Sequence, residues 1–257
     1  MTIVPVMSLA RHTFIDALRE RAFVVLGLFL VVILVAARLL SPLALGEGRR
    51  VTLDVGLASV GFFGFLLVAL LGTRMVHKEI DCKTILVLLS KPIRRSEFVL
   101  GKFLGLVTVV AVSLIAMLLM LAGILLTSGY EFDATLAVAG YYAFLELLIM
   151  AALAMFLTAF TSPVLSTFFL MGLFVAGHLS GSLIEMAQLL PNACAAKMLE
   201  AIFYVLPRLD LYSYTLEVVH GLPVDGGQLL WATSYAVIYS VGVLLLSVLI
   251  LRSREFS

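Results

Sequence analysis

The chain has 257 residues, 63% of them hydrophobic and 13% charged, with a mean hydropathy of +1.17. A water-soluble core of this size cannot hide that much apolar surface, so the chain needs lipid around it. Seventeen basic residues stand against sixteen acidic ones, a formal charge of +1; this balance gives no footing for nucleic acid and makes the placement of the charges the informative quantity.

Residues 5–21 place Val6, Met7, Ala10, Phe14, Ala17 and Leu18 at helical spacing, with His12, Asp16, Arg19 and Glu20 on the opposite face. The pattern predicts a helix over 1–21 lying flat on the membrane surface. It reads either as a simple lead-in to the first span or as an elbow that also touches a cytoplasmic partner.

A helix crossing a hydrocarbon core about 30 Å thick needs roughly 20 mainly apolar residues. Windows of that kind cover 22–40, 53–73, 103–127, 136–160 and 230–251. A sixth, 164–184, starts just after Ser162 and Pro163 and carries Gly172, Gly177, Gly181 and His178. The predicted fold class is therefore all-α: a polytopic membrane protein with six transmembrane helices in a single domain. The first window is longer than a signal-peptide core and follows a long patterned segment, so it is expected to stay in the mature chain. Residues 189–209, interrupted by Pro191, Asn192, Lys197, Glu200 and Pro207, suit a re-entrant or interfacial helix within an outer region, 185–229, better than a seventh crossing.

Twelve of the seventeen basic residues fall on one side of a six-span topology: Arg11, Arg19 and Arg21 before the first span, Arg74, Lys78, Lys83, Lys91, Arg94, Arg95 and Lys102 between the second and third, and Arg252 and Arg254 after the last. The positive-inside rule then puts both termini in the cytoplasm, as in a multi-pass protein of a bacterial inner membrane. The two cysteines, Cys82 and Cys194, are expected on opposite sides, too far apart to be bridged.

The loop 74–102 carries these seven basic residues with Glu79, Asp81 and Glu97. Ile80, Thr84, Val87 and Leu88 recur at helical spacing, Lys91 and Pro92 stop that helix, and Ser96 begins another that runs into the third span. Helix, break, helix is what a small cytoplasmic knob requires. Anchoring to anionic headgroups would account for the charges but not for the break.

From Glu79 and Thr84 through the apolar 85–89 to Pro92, Ile93, Arg94, Gly101 and Lys102, this stretch resembles the ABC-2 type permease family. The likeness extends to the N-terminal amphipathic helix, the six spans, the element from Leu206 to Asp210 and the end of the chain from Arg252 to Phe256. It leans toward the branch of multicopper-enzyme maturation permeases, which includes the nitrous-oxide-reductase maturation transporter. Lys83 stands where many members have Gly. The resemblance implies a dimer with a second permease copy, identical or a close paralogue, each bound beneath by an ABC ATP-binding subunit. It also implies that Glu79, Thr84, Leu88, Pro92, Arg94 and Arg95 form a coupling helix seated in that ATPase. ATP and Mg are expected on the partner and no cofactor in this chain, which has no phosphate-binding Gly-x-x-x-x-Gly-Lys-Ser/Thr loop of its own.

Glu146 sits in the middle of the fourth span, where an unpaired charge costs roughly 2.5–3.5 kcal/mol. It reads either as a structural hydrogen-bonding group or as part of a substrate path. His178, Ser180 and Ser182 lie toward the outer end of the fifth span, where Gly177 and Gly181 are expected to let another helix come close. If, as the resemblance suggests, the second and fifth spans line a central route, then Phe62, Phe65 and Phe169, with Phe63, Phe168 and Phe174, offer aromatic walls to an amphipathic cargo. An intramembrane serine protease is disfavoured, since His12, His77 and His220 lie in loops and no second His reaches the depth of Ser180. Met186, Cys194 and Met198 are too irregularly spaced to suggest a copper site. The expected function is the membrane-spanning subunit of an ABC exporter, without ATPase chemistry of its own. The alternative is a non-transporting relay that passes ATPase motion to a periplasmic accessory protein.

Overall fold

A computed structural model describes residues 7, 10, 11, 13, 23–40, 47–81, 95–130, 135–182, 186, 197–199, 203, 206–213 and 226–253. Among them the chain is helical, with no strand: α1 (Phe23–Leu40), α2 (Gly48–Asp81), α3 (Arg95–Thr127), α4 (Thr135–Thr158), α5 (Pro163–His178), a 3-10 turn (Asp210–Tyr212) and α6 (Gly226–Ser253). Four described stretches are long and apolar enough to cross a membrane, namely Gly48–Arg74, Ser96–Thr127, Thr135–Thr158 and Gly226–Ile250; Val24–Ala37 in α1 and Pro163–His178 are shorter.

The helices depart from the sequence windows in an instructive way. Helix α2 runs on past residue 73 to Asp81 and α3 starts at Arg95, well before residue 103. Lys, Arg, Glu and Leu are good helix formers and nothing between 74 and 81 breaks the pattern, so leaving the apolar window does not end the helix. The predicted break at Lys91 and Pro92, with the rest of 82–94, lies outside the described residues. At the fifth window the reverse happens: α5 ends at His178, where Leu179 turns and its N–H meets the carbonyls of Val175 and Gly177. Sixteen residues reach only about 24 Å at about 1.5 Å each, short of a core about 30 Å thick.

Helix α4 is the centre of the bundle, packed against α2, α3, α5 and α6. Ile149, Met150, Ala151, Ala152 and Ala154 have no exposed surface. Their sequence is apolar on every side, the pattern of a helix surrounded by other helices. The outward faces are equally apolar: Val24, Val31 and Val35 on α1 and Leu230, Trp231, Ile238, Leu245 and Leu249 on α6 are all exposed. Water does not tolerate such continuous surface, whereas lipid does.

Because lipid tails are as apolar as leucine, these helices associate through close packing and hydrogen bonds. Gly72 of α2 permits a close approach to α4, since a Cβ there would lie 2.9 Å from the Ala154 Cβ. Thr73 and Thr167 share a hydrogen bond of 3.1 Å between α2 and α5, and Tyr141 and Thr233 one of 3.1 Å between α4 and α6. In the N-terminal segment Thr13 is buried where it meets Gly105 of α3. Met7, Ala10 and Arg11 are also helical, with Met7 exposed, and the other residues of the predicted surface helix over 1–21 lie outside the described residues.

Helix α3 stops by a paired-carbonyl cap. Tyr130 N–H donates to Leu125 O (3.0 Å) and Gly129 N–H to Leu126 O (3.1 Å), with Gly129 at φ 81°. Only the backbone demands glycine here, for a Cβ would meet nothing within 4 Å. Gly129→Ala is therefore expected to lower stability by about 1–2 kcal/mol, read as a lower midpoint in thermal unfolding of the detergent-solubilised chain.

Candidate functional site

The short reach of α5 sets the geometry of the site. From the α4–α5 turn, Glu146 lies about 18 Å up α4 and His178 about 22 Å up α5 at the usual helical rise, so the two meet at similar depth. His178 Nε2 is 3.4 Å from Glu146 Oε1. That is an ion-pair distance without a directed hydrogen bond, because Oε1 is buried and makes no hydrogen bond among the described residues. His178 Nδ1 lies 3.1 Å from the Phe174 carbonyl. A carbonyl only accepts, so this nitrogen carries the proton and donates it.

Beside the pair is a cavity of about 300 Å³. Helix α2 lines it with Leu57, Ala58, Val60, Gly61 and Phe62, α4 with Ala139, Ala143 and Glu146, α5 with Phe174 and His178, and the outer segment with Tyr212 and Ser213. An aromatic column backs it: Phe65 stacks on Phe174 at 4.1 Å between centroids, and Phe174 lies 4.6 Å from the His178 ring.

Beyond α5 the backbone turns at Leu179 and is helical again over 180–182, and residues 206–213, here called the strap, pack beside it. Leu209 is fully buried, and its N–H donates to Gly177 O at 3.2 Å. Ser180 Oγ lies 2.7 Å from Gly177 O and 2.9 Å from Asp210 Oδ1; both accept, so its single proton is shared between them. Arg208 N–H donates to Tyr235 Oη (3.1 Å) and Tyr212 Oη donates to Ala232 O (2.9 Å), which fixes the strap to α6. Arg208 also lies over the Phe203 ring at 5.2 Å and 3.8 Å from Asp210. The closely approaching neighbour of Gly177 and Gly181 is thus not another helix, as the spacing suggested, but the strap: a Cβ at 177 would lie 2.7 Å from Leu209 Cγ, and one at 181 would lie 3.2 Å from Asp210 Oδ2. Irregular backbone can sit at this depth only where side chains and helix ends satisfy it.

Of the residues singled out for a substrate path, the structure gathers Phe62, Glu146 and His178 at one cavity, with Phe65 one ring behind. Phe169 lies elsewhere, 45% exposed on the outward face of α5 beside Phe168. Of the coupling residues, Glu79 falls in the last turn of α2 and Arg95 opens α3; Thr84, Leu88, Pro92 and Arg94 lie outside the described residues. Sequence reasoning missed Tyr212 and Ser213 as cavity walls. The only available signal was the small-residue pair Gly177 and Gly181, which marks a close approach without saying by what.

The sequence profile of the ABC-2 family transporter proteins matches residues 7–253. The chain belongs to that family. It is an integral membrane protein, a permease subunit of an ABC transporter, of a kind that carries no nucleotide-binding domain and works with ATP-binding partner subunits in a lipid bilayer. The match defines the family and not the maturation branch within it. No curated protein matches the sequence.

Proposed function

We propose that this permease crosses a bacterial inner membrane six times with both termini inside, pairs with a second copy or a close paralogue, and exports an amphipathic cargo. Each permease stands on a separate ATPase that holds ATP and Mg, gripped through Glu79, Thr84, Leu88, Pro92, Arg94 and Arg95. The cargo route runs past Phe62, Phe65, Glu146 and His178, with Phe169 facing the second copy. The strap closes the outer mouth, and the region 185–229 around it offers a surface to a periplasmic accessory protein.

The observation that carries this reading is the continuity of α2. It is one helix from Gly48 to Asp81, so Glu79, at the proposed ATPase contact, and Leu57 and Phe62, at the cavity, sit on a single rod. A tilt imposed at one end reaches the other without an intervening joint, as rigid-body switching requires. A chain serving only as a scaffold has no need of a cavity at the far end of that rod.

Two measurements test the proposal. A membrane-impermeant maleimide applied to intact spheroplasts is expected to label Cys194 and spare Cys82, and affinity capture of the tagged chain is expected to recover a nucleotide-hydrolysing companion. Labelling of Cys82 from outside, or capture without such a companion, refutes the reading. ATP-dependent uptake by inverted vesicles separates an exporter from a relay that moves no cargo.

A further inference from the structure

We propose that Glu146 and His178 form a proton-for-cation exchange site, and that the cargo held in the cavity is an organic cation of the lipophilic-amine class. The inference starts from the close approach of the two side chains. With His178 Nδ1–H committed to the Phe174 carbonyl at 3.1 Å, a neutral ring leaves Nε2 bare at 3.4 Å from Glu146 Oε1. A bare nitrogen beside a carboxylate is unfavourable. One proton held by either group removes the conflict, and both arrangements leave the pair with no net charge. A net charge would be costly at this depth.

A cation entering the cavity can stand in for that proton. The carboxylate then pairs with the cation, the imidazole stays neutral, and one proton leaves to water, so the charge of the site is conserved. Glu146 is suited to this exchange, being 7% exposed, without a hydrogen bond at Oε1 among the described residues and part of the cavity wall. Phe62, Phe174 and Tyr212 in the same wall are aromatic, and the π faces of such rings attract cations in desolvated settings. Tyr212 on the strap lines the same cavity, and Tyr141 and Tyr142 on α4 and Tyr235 on α6 lie near Tyr212; Asp210 on the strap is engaged by Ser180, and the α2 wall is apolar and aromatic. No Lys or Arg lines the cavity among the described residues, and Arg208 is drawn to Asp210 and Phe203 instead. An anion would find nothing to compensate it here.

The cargo role in this inference rests on the transport reading, but the binding site does not. The test is calorimetric titration of the full chain in lipid nanodiscs with benzyltrimethylammonium, against empty nanodiscs, in two buffers of different ionisation enthalpy. The expected result is saturable binding with release of about one proton per cation and an affinity that rises with pH, since protons compete for the same carboxylate. Glu146→Gln keeps the shape and removes the charge, and is expected to weaken binding roughly tenfold or more. Neopentylbenzene, the neutral carbon isostere of the probe, is expected to bind the wild type and this variant alike. Absent cation binding, equal cation affinity in Glu146→Gln, or binding with a heat independent of buffer overturns the proposal. The last readout needs no variant and so survives a failure of Glu146→Gln to fold. Neither ATP nor a partner is used, so a failed titration leaves the coupling reading standing, and failed ATPase capture leaves the site standing.

Discussion

Replacing Pro92 with glycine, or Glu79 with alanine, is expected to leave ATP hydrolysis by the assembled complex nearly unchanged while ATP-driven transport falls about tenfold, within the roughly 1–3 kcal/mol typical of coupling between distant sites. Pro92 cannot continue a helix, and the residue before it is pushed away from helical backbone. Proline at 92 therefore disfavours one continuous helix through the loop, which is the break that the proposed coupling requires. Glycine in its place frees the backbone, so motion of the ATPase is absorbed in the loop instead of tilting α2. Glu79 lies in the last turn of α2, where an acidic side chain opposes the local helix dipole. A residue kept there at a cost to the helix is better explained by a basic partner on the ATPase than by fold stability. Hydrolysis and transport measured on the same reconstituted complex decide the matter: a parallel fall in both means lost assembly, and unchanged transport in both variants means that the loop is not the handle.

Widening Gly177 has the second large effect. Gly177→Val puts its Cβ 2.7 Å from Leu209 Cγ and 2.9 Å from the Pro207 carbonyl, and the carbonyl cannot swing aside without moving the strap. Overpacking of this kind costs about 1–3 kcal/mol, and the hydrogen bond from Leu209 N–H to Gly177 O goes with it. The expected outcome is a lower unfolding midpoint together with faster tryptic cleavage after Arg208. Ser180→Ala removes one shared hydroxyl proton and no space, so its effect should be smaller, about 1 kcal/mol. Equal effects in the two variants would mean that the strap is held by its polar contacts and not by the fit of Leu209 against the glycine.

The sequence carried more of the fold than of the site. Apolar windows located the six apolar helices among the described residues, because a long run without charge has few other uses in a chain this hydrophobic. Their ends were less legible. Helix α2 continues to Asp81 because helix formation depends on local propensity, which lipid does not interrupt. Helix α5 is interrupted at Leu179, where the Gly177 carbonyl accepts from Ser180 and from Leu209, the latter some thirty residues away in the chain.

For the site the division is sharper. Glu146 and His178 were each conspicuous as polar residues in apolar windows, and that much needs no structure, since a buried polar group is costly wherever it lies. Their meeting at 3.4 Å depends on where α5 stops relative to α4, and the cavity beside them depends on a strap that returns from beyond residue 205. Composition and the order of apolar runs determined that this chain lives in a membrane, because transfer free energies sum along the sequence; the permease reading came from the likeness of residues 79–102 to the ABC-2 family. Which polar groups share a proton was decided only by tertiary packing, because that requires helices distant in sequence to fix depth and rotation together.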